Sequence, residues 1–128
     1  MINLEALIKA AATRGTEPEY STILEFCTAT RTMPEQFCND YAVWVAKGFY
    51  EERLTYEFCD GAMNYLWGFM TTPPVFGEDK NIPEPAFEIY RAFDEGEYHH
   101  QGDPSAIDPV EKYTKPLVEE LFRGGRLS

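Results

Sequence analysis

The chain is short of positive charge. Eleven Lys and Arg stand against 22 Asp and Glu in 128 residues, giving a formal net charge of −11 and a pI near 4.5. Phosphate backbones and anionic lipid surfaces are held by clustered cations, so nucleic acid and membrane are both excluded as main partners. Long apolar runs are missing too. The longest, Tyr41 to Ala46, falls well short of the roughly 18–20 residues of a membrane-spanning helix. Cysteines are few and odd in number, and Cys27, Cys38 and Cys59 form no close pair. That suits free thiols in a reducing compartment better than a disulfide framework. No GxSxG, P-loop, GxGxxG, CxxC or HExxH run is present, which removes the familiar signatures of hydrolase, nucleotide, redox and zinc-protease chemistry. The opening Met1-Ile2-Asn3-Leu4-Glu5 carries no basic leader, and Glu5 and Lys9 interrupt its apolar residues. The expectation is a protein without a signal peptide, cytoplasmic and of bacterial type.

What is present is enough to fold. Hydrophobic residues make up 44% and aromatics 15%, unlike a disordered acidic tail. The length suits one domain over residues 1–128. The periodicity predicts an all-α fold, an irregular bundle of five to six short helices with no strand. The first helix spans about 4–13, capped by Asn3 and ended by Gly15. Thr16-Glu17-Pro18-Glu19 and Thr32-Met33-Pro34-Glu35 both read as capping boxes with Pro in the first turn. The second helix should bury Tyr20, Ile23, Leu24 and Cys27. The third should bury Phe37, Tyr41, Trp44 and Val45 and stop at Gly48, with 49–54 a connector or a continuation. A fourth, opened by Thr55, runs 56–70 with Cys59, Ala62, Met63, Leu66 and Met70 on one stripe. Residues 71–83 form a long loop. A fifth helix covers about 85–95 around Ala86, Ile89, Tyr90 and Phe93, with Gly96 at its end. After an acidic loop near 97–107, Asp108-Pro109-Val110-Glu111 reads as another capping box. Pro116 then kinks or splits the last helix, with Thr114 as a second cap and Val110, Tyr113, Leu117, Leu121 and Phe122 inward.

The negative charge is concentrated. Residues 84–111 hold Glu84, Glu88, Asp94, Glu95, Glu97, Asp103, Asp108 and Glu111 against Arg91 alone. Asp94, Glu95 and Glu97 fall at a helix C-terminus, where the macrodipole disfavours anions by about 0.3–1 kcal/mol each. Local helix stability therefore does not account for them. Tyr90 and Tyr98 lie among them. Acids beside aromatics make a protein-binding surface, in which charge steers a basic partner and the rings supply contact area. The plainer reading is a solvated helix face and loop, with the charge serving solubility.

Other chemistry is weakly signalled. Adjacent His99 and His100 sit among acids but lack the i, i+4 spacing of a helical chelate, and nothing calls for a metal or another cofactor. Each cysteine lies on an apolar helical face, the setting of an unreactive buried thiol. Phe-Cys occurs at 26–27, 37–38 and 58–59, but its spacing matches no solenoid repeat. Asn64 is a polar residue in an apolar helix, expected either exposed or bonded to a neighbouring helix.

Three stretches, Tyr56-Glu57-Phe58-Cys59-Asp60-Gly61-Ala62-Met63-Asn64-Tyr65-Leu66-Trp67, Ala92-Phe93-Asp94-Glu95-Gly96-Glu97-Tyr98 and Asp108-Pro109-Val110-Glu111-Lys112-Tyr113-Thr114-Lys115-Pro116, look familiar together. Over roughly residues 30–122 the chain resembles the small acidic α-helical immunity proteins of bacterial contact-dependent growth inhibition and related toxin systems. The resemblance implies a non-catalytic cytoplasmic protein that binds and neutralises one cognate toxin domain, often a nuclease. It transfers no functional residues, because such proteins share a role without a common binding motif. A nuclease must be basic to hold its substrate, and clustered acids on its inhibitor speed association and disfavour wrong partners. The expected contact surface is therefore Glu84, Glu88, Tyr90, Asp94, Glu95, Glu97, Tyr98, Asp103, Asp108 and Glu111. The alternatives are a cytoplasmic adaptor or regulatory bundle, and a metal-binding enzyme using His99 and His100.

Overall fold

Asn3 opens the first helix as its sequence predicts, its Oδ1 accepting from the Ala6 N–H at 2.8 Å. The computed structural model describes residues 3–125. Helix α1 is Leu4–Ala12, α2 Tyr20–Thr30, α3 Pro34–Tyr50, α4 Tyr56–Met70 and α5 Ala86–Asp94; a π-helical turn, Val110–Thr114, leads directly into α6, Lys115–Arg123. There is no strand among the described residues, so the all-α reading is correct. No helix among them is long and apolar enough to cross a membrane.

Helix α4 is the hub. It packs against α1, α3 and α5, while α6 closes over α3 and α5. The stripe Cys59, Ala62, Met63, Leu66 and Met70 is buried throughout, together with Phe69. Phe37, Tyr41 and Val45 of α3 meet it, and Phe37 sits edge-on to Phe69 at 5.8 Å. Each large side chain removed from water in this way is worth about 1.5–3 kcal/mol. Tyr41 is fully buried, and its hydroxyl donates to the Ala62 carbonyl at 2.6 Å. No buried side-chain polar atom among the described residues lacks a partner. Trp44, Leu24 and Leu4 are only partly covered, and Tyr20 lies at the surface.

Several helix ends differ from expectation. Thr55 does cap α4, accepting from Phe58 N–H at 3.1 Å. Neither Thr-x-Pro-Glu segment forms a capping box. The Thr16 hydroxyl turns back to the carbonyls of Ala10 and Thr13, closing the end of α1, and α2 starts three residues after the segment's Glu17 with Glu19 as an uncapped entry. The Thr32 hydroxyl is engaged with that of Thr30, and Met33 precedes α3 without a side-chain cap, although Pro34 does occupy the first turn. In both cases the threonine satisfies the helix before it rather than the helix after it. Helix α3 runs through Gly48 to Tyr50. A Cβ there would lie 2.3 Å from Leu54 Cδ1, so a larger residue would have to displace that side chain.

The last helix departs furthest. Asp108 accepts from Val110 N–H at 2.9 Å, but Glu111 turns to Lys115 instead of returning the bond. Thr114 is no cap: it has helical dihedrals, and its buried hydroxyl donates to the Ala92 carbonyl at 2.7 Å. As expected, the last helix is divided at Pro116, which sits in the first turn of α6 directly after the π-turn. The π-turn, closed by Lys115 N–H on the Val110 carbonyl, inserts an extra residue just before the proline. A proline in the first turn of the following α-helix loses no intrahelical bond, because that N–H would be unpaired anyway. The insertion also rotates the side chains of α6 by about 100°, one residue's rotation. Val118 and Leu121 become the buried face, and Leu117, expected inward, is 41% exposed.

Candidate protein-binding surface

The C-terminus of α5 is where the chain gathers its functional side chains, because every neighbouring element contributes to closing it. A helix leaves its last carbonyls without intrahelical partners. Here Ala92 O takes the Thr114 hydroxyl, Phe93 O takes the Tyr56 hydroxyl at 2.7 Å, and Glu95 O lies 2.8 Å from His100 Nε2. Gly96 lets these groups converge. A Cβ at that position would meet Thr114 Oγ1 at 2.4 Å and the Tyr56 ring at 3.1 Å. The glycine expected as a helix stop is thus a close-approach glycine with an ordinary φ.

Three carboxyl groups meet on one side of this end. Asn64 Nδ2 donates to Glu97 Oε2 at 2.7 Å. Asp60, one turn earlier on α4, and Asp94, the last residue of α5, both face the same Glu97 side chain. Burial, then the bond to Glu97 and its charge, push the Asp60 carboxyl up to about 8. Glu97 is held below its usual range, chiefly by the bond from Asp60. Asp94 is raised by burial and by the Glu97 charge. Asp60 therefore keeps a proton that it donates to Glu97, as expected when acids share a site. Among the described residues no Lys or Arg makes an ion pair with any of the three. Tyr90 lies beside them, its ring flat on Trp67 at 4.5 Å and 9° between planes.

The other expected contact residues are dispersed or already engaged. Asp103 is ion-paired with Lys112 and accepts from Tyr113 Oη at 2.6 Å, and its side chain is largely covered. Glu111 pairs with Lys115 at 2.7 Å. Asp108 is used on Val110 N–H, and Glu84 accepts from Glu88 N–H at 3.3 Å. Glu95 lies 3.2 Å from His100 and accepts from the exposed Tyr98. The acidic segment is thus not one continuous face. Asp94, Glu97 and Tyr90 converge, while Asp103, Asp108 and Glu111 stabilise the acidic loop and the π-turn. Asp60, Asn64 and Trp67 complete the cluster and were not among the expected contact residues. Tyr56, Asp60 and Asn64 recur every fourth residue, a polar edge on α4 that marked them in the sequence.

The histidines are structural. His99 Nε2 is 2.8 Å from the Asp103 carbonyl, and His100 is sandwiched between Tyr98 and Tyr113 at 4.4 and 3.8 Å. No metal-capable cluster of His, Cys, Asp and Glu exists among the described residues. All three cysteines are free and buried. Burial pushes the thiols of Cys38 and Cys59 up to about 12, far from nucleophilic use at neutral pH. No protein-family model, curated protein or solved structure matches the chain.

Proposed function

We propose that the chain is an immunity protein, which binds a cognate basic toxin domain through the carboxyl cluster at the α4–α5 corner. The observation that carries this reading is the convergence of Asp60, Asp94 and Glu97 beside the Tyr90–Trp67 stack, with no cation of their own to neutralise them. With Asp60 protonated the cluster carries its charge on Asp94 and Glu97, and like charges held together cost free energy. A lysine or arginine from a partner would relieve that cost, and the stacked rings would supply a rigid contact beside it. The net charge of −11 adds long-range steering toward a basic surface. The resemblance to small acidic immunity proteins points the same way. The protein would act in the bacterial cytoplasm, where its free thiols persist.

The test is kinetic. The toxin domain encoded next to this gene is purified and its binding followed by stopped flow with wild type and with the D94N/E97Q variant. Association should slow by about tenfold in the variant and fall with added salt, while dissociation changes less. Rates indifferent to both would overturn the surface assignment. Capture of a host protein, with no toxin encoded nearby, would replace immunity by an adaptor role.

A further inference from the structure

We draw no further inference here: the strongest candidate, the groove between α5, the π-turn and α6 floored by Leu117 and Leu121, has acids and cations side by side on its walls, and nothing in the structure shows what covers it.

Discussion

The carboxyl of Asp60, on α4, donates a hydrogen bond to the carboxylate of Glu97, just beyond α5. The two are far apart in the chain, and the bond ties the hub helix to the segment that carries most of the charge. It also makes stability depend on pH. Asp60 titrates near 3.8 when unfolded and near 8 when folded. Its contribution is therefore complete below about pH 4 and is lost as pH rises through 8. Glu97, lowered on folding, works in the opposite sense at the acidic end, which narrows the net loss to the window between about pH 5 and 8. Asp60→Asn keeps a donor for Glu97 and cannot ionise. Its melting temperature should equal that of wild type near pH 5 and exceed it by several degrees at pH 9. The gain corresponds to about 1 kcal/mol, after allowing for solvent screening of half-exposed groups. A difference that does not change with pH would rule out the shared proton.

Most of the helices were legible because their information is local. The apolar residues of α1, α3 and α4 recur at 3.6-residue spacing, and that alone fixes which face enters the core. The ends were harder. Thr16 and Thr32 each had two helices to serve, and the spacing to Glu19 and Glu35 could not tell which carbonyls or amides lay closer. The site was half legible. Asp94 and Glu97 stood out as acids at a helix C-terminus. Asp60 reaches them only because α4 and α5 pack side by side, a relationship no local pattern encodes. The same packing explains the acids' position: Thr114, Tyr56 and His100 close the α5 carbonyls that the dipole argument left exposed.

Gly96 and Thr114 should be energetically coupled. Gly96→Ala puts a methyl 2.4 Å from Thr114 Oγ1 and 3.1 Å from the Tyr56 ring, and overpacking of this kind costs about 1–3 kcal/mol. Thr114→Ala removes the hydroxyl and leaves the Ala92 carbonyl without its donor, a loss of about 1–2 kcal/mol. In the double variant part of the clash is gone. Denaturant unfolding should then show a combined loss smaller than the two single losses added together. Strict additivity would mean that the two residues do not press on each other.

The thiols should be silent until the protein opens. Cys27 is raised by burial, as are Cys38 and Cys59, the last two to about 12. The thiolate is the reacting species. With Ellman's reagent at pH 8 the native protein should release almost no chromophore over minutes, and three equivalents promptly in guanidinium chloride. Fast reaction of any thiol in the native state would contradict the buried placement of all three.

The register of α6 offers the most direct test of the π-turn. With the inserted residue, Val118 is 1% exposed and Leu117 is 41% exposed; an uninterrupted helix from Val110 would have buried Leu117 instead. Truncation to alanine reads the difference. Val118→Ala empties a packed site and should cost about 1–3 kcal/mol, in the range for lost buried methyls. Leu117→Ala removes more atoms but from a surface position, and should cost under about 0.5 kcal/mol. The order therefore runs against side-chain size, which makes it diagnostic. If Leu117→Ala proved the more damaging in urea unfolding, the helix would be regular, and Leu117 would belong to the core rather than to the groove between α5 and α6.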